Sequence, residues 1–152
     1  MVKKFIVTLF GSFFYTGFFP LASATFACAV WVLIWLFVPG ARFLTHPVVV
    51  IATIPLAIYL ASVMEGYYGH DASRIVIDEF IGMQITLFAI EPAWKVGVAA
   101  FILFRIFDIV KPFPVGRAEK LRGGLGVVAD DALAGVYSFI ALFILMRVFD
   151  LA

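Results

Sequence analysis

Five apolar stretches alternate with short polar or helix-breaking interruptions along the chain. Residues 21–38 and 47–64 are nearly continuous runs separated by a Pro39-Gly40 break, and a third run ends at Glu91-Pro92. The third run is short if counted from Phe80, so its helix is expected to begin near Ala72 or Ser73, which can cap it. Residues 95–109 and 132–149 complete the set. Each run approaches the roughly 20 residues needed to cross a bilayer as a helix. The first segment, residues 5–19, is apolar but interrupted by Gly11, Ser12 and Gly17, and predicts an interfacial or re-entrant helix. The pattern therefore predicts an all-α integral membrane bundle of about five spans plus that N-terminal helix, in a single domain over residues 1–152.

Composition strengthens the membrane reading. The chain is 64% hydrophobic with a mean hydropathy of +1.12, and 14% of it is charged, against roughly 25% in an ordinary soluble domain. A net charge of +1 without a basic arm gives no argument for nucleic acid. The single Cys28 excludes an intramolecular disulfide and a cysteine-built metal site. The apolar region continues past Pro20 without a small-residue cleavage site, so the N-terminus is not read as a secretory signal. With the N-terminus in the cytoplasm, Lys3, Lys4, Arg74, Arg105, Lys111, Arg117, Lys120 and Arg122 fall on that side, and Arg42, Lys95 and Arg147 on the other.

The same orientation gathers the acids at one membrane face. Asp78-Glu79 and Asp130-Asp131 are adjacent pairs, each expected to open a helix, while Asp108 closes one and Asp71 lies upstream. Unpaired carboxylates at the edge of hydrocarbon are expensive, so a cluster of them must share a cation or pair with bases. An oxygen-only donor set points to Mg2+, or to manganese, before zinc. Asp78, Glu79, Asp130 and Asp131 are the expected ligands, with Asp71 or Asp108 completing the set. Adjacent helical positions diverge by about 100°, so one member of each pair is expected to be a direct ligand. Glu65 and Glu119 are read as structural, and His46 and His70 as bystanders.

Between Asp108 and Asp131 the chain carries Lys111, Arg117, Lys120 and Arg122 with Gly123-Gly124 and Gly126. Cations and closely approachable backbone suit a phosphoryl group, and next to metal-binding carboxylates they suit phosphoryl hydrolysis or transfer. Arg105, Lys111, Arg117, Arg122, Gly123 and Gly124 are the expected phosphate-binding residues. Asp71, Asp108, Lys111 and Asp130 are the expected catalytic ones. An alternative is a divalent-cation transporter or channel built on the acidic cluster.

These residues resemble the phosphatidylglycerophosphatase A family of bacteria. The similarity is carried by Gly69-x-Asp71 followed by Ile75-Val76-x-Asp78-Glu79-x-x-Gly82, by Phe104-Arg105-x-x-Asp108-x-x-Lys111-Pro112-x-Pro114, and by Gly123-Gly124-x-Gly126 running into Asp130-Asp131-x-x-Ala134-Gly135. The family's N-terminal Gly-x-x-Pro and Ala-Pro-Gly-Thr pattern is kept in part, with Ser23-Ala24 in place of Pro-Gly. The resemblance implies a magnesium-dependent phosphatase that converts the phospholipid phosphatidylglycerophosphate to phosphatidylglycerol and inorganic phosphate. It also implies a multi-pass helical protein of the bacterial inner membrane with its site at the cytoplasmic surface. Oligomeric state is not specified by these features.

Overall fold

The computed structural model describes residues 2–69 and 72–149, and within them the chain is all-helical. Seven α-helices run α1 Val2–Gly11, α2 Ser23–Phe37, α3 Pro47–Tyr68, α4 Ile77–Thr86, α5 Trp94–Val110, α6 Val115–Ala118 and α7 Gly124–Phe149. Short 3-10 turns at Thr16–Phe18 and Ala41–Thr45 join the first three.

Helix boundaries differ from the sequence expectation at functionally important points. α4 starts at Ile77, so Ala72 and Ser73 do not cap it; residues 72–76 form a non-helical approach, and Val76, at the N-cap, supplies no side-chain cap. α7 starts at Gly124, not Ala132, which puts Asp130 and Asp131 at its second turn instead of its opening. The N-terminal segment is not one helix either: α1 ends at Gly11, and Phe13, Phe14 and Tyr15 all take left-handed backbone angles that reverse the chain. Three consecutive non-glycine residues in that region cannot continue a right-handed helix.

Length sorts the helices. At about 1.5 Å per residue, α3 and α7 reach about 33 and 39 Å, and they are, among the described residues, the two long and apolar enough to cross a bilayer. α2 and α5, at 15 and 17 residues, reach about 22 and 25 Å, short of a core of about 30 Å.

α7 is the central post, packed on α3, α4, α5 and α6. Its approach to α4 is made backbone to backbone: a Cβ on Gly135 would stand 2.6 Å from the Gly82 carbonyl oxygen, and one on Gly82 would strike the Phe104 ring of α5. Small residues permit such contact between apolar helices, where side-chain volume would hold the axes apart. Trp31, Trp35, Met83, Leu87, Phe104 and Leu142 fill the space between α2, α4, α5 and α7, and Val7, Leu60, Met64, Ile81 and Val128 fill that between α1, α3, α4 and α7. The outward faces remain apolar, with Phe37, Ile51, Ile102 and Phe143 exposed.

Candidate active site

Where α4 begins, α5 ends and the second turn of α7 passes, the helices enclose a cleft of about 360 Å³. Its wall carries six carboxylates, Asp78 and Glu79 from α4, Asp108 from α5, Glu119 from beyond α6, and Asp130 and Asp131 from α7, with Lys111 and Val127 between them. Asp78, Glu79, Asp130 and Asp131 are all buried.

Asp78, Glu79 and Asp131 each bring a carboxylate oxygen within 4.8 Å of the others. That separation is close to the roughly 4–5 Å between opposed ligands of a hard divalent cation with metal–oxygen distances of about 2.1–2.5 Å. Asp78 Oδ1 and Glu79 Oε2 are buried without a hydrogen-bond partner. Orphaned anionic oxygens at these depths are strongly unfavourable unless a cation satisfies them. The donor set is all oxygen, which fits magnesium or manganese chemistry. Both members of the Asp78-Glu79 pair bring an oxygen to the cluster, whereas of the second pair only Asp131 does.

Asp130 is held differently. Lys111 Nζ donates to Asp130 Oδ2 at 2.8 Å and lies 2.9 Å from Glu119 Oε1, leaving one of its three N–H groups uncommitted to these pairs. Lys111 caps α5 in the left-handed conformation (φ 45°), a strained choice for a lysine, ahead of the Pro112 to Pro114 turn. Burial disfavours its charge, but hydrogen bonds to Asp130 and Glu119 more than offset this and raise its pKa above the ordinary lysine value. Asp130 Oδ1 remains buried and unpartnered. On α5, Arg105 Nη1 donates to Asp108 Oδ2 at 2.7 Å, and its Nε–H is buried without a partner.

Of the other expected residues, Asp71 and His70 lie outside the described residues. Arg117 and Arg122 are exposed, and neither lines the cleft; the Arg117 guanidinium sits over the Phe113 ring, 4.9 Å from its centroid. Gly123 and Gly124 turn away from the cleft toward α3. A Cβ on Gly124 would stand 2.4 Å from the Ile58 carbonyl oxygen, and its N–H donates to Ser62 Oγ at 3.1 Å. Gly124 is accounted for by the close crossing of α7 over α3, and Gly123 by its positive φ of 63°. Glu119, read from the sequence as structural, lines the cleft and pairs with Lys111, a placement the sequence reading did not anticipate. Its position eight residues after Lys111, across a proline turn, is the one signal that links the two.

Comparison with known proteins adds the following. The family model described as Phosphatidylglycerophosphatase A matches residues 9–146. A Bacteroides thetaiotaomicron protein that carries the provisional name phosphatidylinositol-3-phosphatase is 42% identical over 149 residues, covering 91% of this chain and 92% of its own. Phosphatidylglycerophosphatase A of Escherichia coli is 34% identical over 128 residues, covering 82% of this chain and 74% of its own. The Haemophilus influenzae protein of the same name is 50% identical over 76 residues, covering 49% of this chain and 47% of its own. No solved structure matches. The cation-transporter alternative gains no support from these relatives.

Proposed function

The chain belongs to the phosphatidylglycerophosphatase A family, a family of phosphatases, and from that premise we propose that it hydrolyses the terminal phosphomonoester of phosphatidylglycerophosphate, releasing phosphatidylglycerol and inorganic phosphate, with Mg2+ as its cofactor. One observation carries the site assignment: three buried carboxylates, Asp78, Glu79 and Asp131, converge with two oxygens left unpartnered. They hold the Mg2+ in this reading. When bound, the ion supplies positive charge to the phosphoryl oxygens and acidifies the attacking water.

The chain's own groups do the remaining work. Lys111, fixed between Asp130 and Glu119, directs its remaining N–H at an equatorial phosphoryl oxygen and acts as a fixed charge. Arg105 does not itself line the cleft; it acts through Asp108, whose carboxylate it holds in the cleft wall and whose charge it balances. Asp130 Oδ1 accepts the proton of the attacking water as the water oxygen bonds to phosphorus and the phosphorus–oxygen bond to glycerol breaks, and the protonated carboxyl then returns that proton to the departing alkoxide. Asp71 stays in the set as a further carboxylate.

The whole chain works as one domain in the bacterial cytoplasmic membrane. α3 and α7 cross it outright, while α2, α4 and α5 cross with the help of their flanking turns, making five spans with α1 at the interface and the cleft facing the cytoplasm. The apolar outward faces support this placement.

A second substrate reading, hydrolysis of phosphatidylinositol 3-phosphate, is favoured by the name of the Bacteroides relative and its near full-length similarity. The test offers both lipids to the purified protein in detergent and follows phosphate release with chelator, then with Mg2+ restored. Release from phosphatidylglycerophosphate that disappears with chelator and in Asp131→Asn is expected. Release from the inositol lipid alone overturns the substrate assignment, and release that persists in chelator overturns the metal.

A further inference from the structure

The first turn of α4 delivers two of the three converging carboxylates, yet no side chain caps it. Its position is fixed instead by a segment more than fifty residues earlier in the chain. The Ser23 hydroxyl donates to the Ser73 carbonyl at 2.6 Å, and the Val76 N–H donates to the Gly11 carbonyl at 3.1 Å. Between these two tethers, Gly17 lies directly on the backbone of Arg74: a Cβ at Gly17 would stand 2.4 Å from the Arg74 carbonyl oxygen and 2.9 Å from its carbon. Gly17 and Ser23 are themselves buried.

Three contacts therefore grip residues 73–76, one at each end and one in the middle, and Asp78 follows two residues after the last. A displacement of this approach carries the start of α4 with it, because a helix moves as a rigid unit from its first hydrogen-bonded turn. The opposing ligand, Asp131, sits on α7, which meets α3 at Gly124 and α4 itself at Gly82 and Gly135. The α4–α7 crossing at Gly82 and Gly135 lies beyond the first turn of α4, so the placement of that turn, and with it the distance across the cluster, depends also on the grip on residues 73–76. Phe13 to Tyr15, with left-handed φ values of 44°, 55° and 67°, lie between the Gly11 tether and the Gly17 and Ser23 contacts.

We propose that Gly17 and Ser23 are positioning residues of the active site: the turn after α1 clamps residues 73–76 and so sets where Asp78 and Glu79 stand relative to Asp131. The consequence for metal affinity rests on the metal reading given under Proposed function; the clamp itself does not. Neither residue touches the cleft, so the effect reaches the carboxylates through backbone alone.

The test compares Ser23→Ala, Ser23→Thr, Gly17→Ala and the exposed control Leu21→Ala with the unsubstituted full-length protein in detergent. Two readouts are taken: hydrogen exchange of the amides at 76–80 in metal-free protein, and Mn2+ affinity by electron paramagnetic resonance. Loss of the Ser23 hydrogen bond is expected to speed exchange at 76–80 and weaken Mn2+ binding by about three- to tenfold. Ser23→Thr should restore both, and Leu21→Ala should change neither. Gly17→Ala is expected to act about tenfold or more, because its Cβ meets backbone, which cannot rotate away. Ser23→Ala protein with unchanged exchange at 76–80 overturns the clamp. Faster exchange with unchanged Mn2+ affinity overturns the positioning role. If the unsubstituted protein fails to bind Mn2+, the metal reading falls, and the exchange data still decide the clamp.

Discussion

Replacing Asp131 by asparagine should make the metal-free protein more stable while abolishing the stabilisation it gains from Mg2+. Asp131, Asp78 and Glu79 have oxygens within 4.8 Å of one another. Two unit charges at that distance, in an effective dielectric of about 20, repel by about 3.5 kcal/mol. Asp131 faces two such neighbours, and part of that repulsion stands as a folding penalty in the metal-free protein. An amide of nearly the same shape removes one charge and the penalty with it. With Mg2+ present the balance reverses, since a ligand at a hundred times its dissociation constant stabilises the native state by about 2.7 kcal/mol. For a chain of this size that corresponds to a rise in melting temperature of roughly 5–10 °C. The assay is thermal unfolding in detergent, with chelator and with Mg2+. The unsubstituted protein should gain the full increment; Asp131→Asn should start higher in chelator, gain little from Mg2+, and release no phosphate. An Asp131→Asn protein that melts below the unsubstituted one in chelator, or gains the same increment from Mg2+, refutes the reasoning, because the three carboxylates would then not form one repelling, cation-binding set.

Lys111→Met should strand the buried Asp130 carboxylate and remove the fixed charge from the cleft, lowering kcat by about 10²–10³ together with a loss of thermal stability, read by phosphate release and unfolding. The pKa of Lys111 is raised in the folded state, so its contribution to stability is complete below the ordinary lysine pKa and is lost only as pH climbs through the higher folded value. A pH profile of stability in Lys111→Met should therefore run parallel to the unsubstituted protein from pH 6 to about 9 and converge on it only in strong alkali. Gly135→Ala should cost about 1–3 kcal/mol, because its Cβ would stand 2.6 Å from the Gly82 carbonyl oxygen, and a melt at unchanged temperature would contradict the tight α4–α7 crossing. Arg122→Ala, exposed and outside the cleft, should leave kcat within about twofold, whereas a phosphate-binding role would lower it far more.

The sequence by itself determined the helical class, the approximate runs and the short list of chemistry-bearing residues. Apolar periodicity and the cost of burying charge are local properties, and they are sufficient to say that Asp78, Glu79, Asp108, Asp130 and Asp131 cannot all be solvated rim. Tertiary structure alone decided how that list divides. It joined Asp78 and Glu79 to Asp131, gave Asp130 to Lys111, brought Glu119 into the cleft, and turned Gly123 and Gly124 toward α3. Two causes put these outcomes beyond the reach of periodicity. A helix that starts at Ile77 instead of Ala72, or at Gly124 instead of Ala132, changes the phase and height at which every later side chain projects, and those starts are set by contacts such as Ser23 with Ser73 or Gly124 with Ser62. Such contacts join residues 50 and 62 positions apart, and their geometry exists only once the helices have packed.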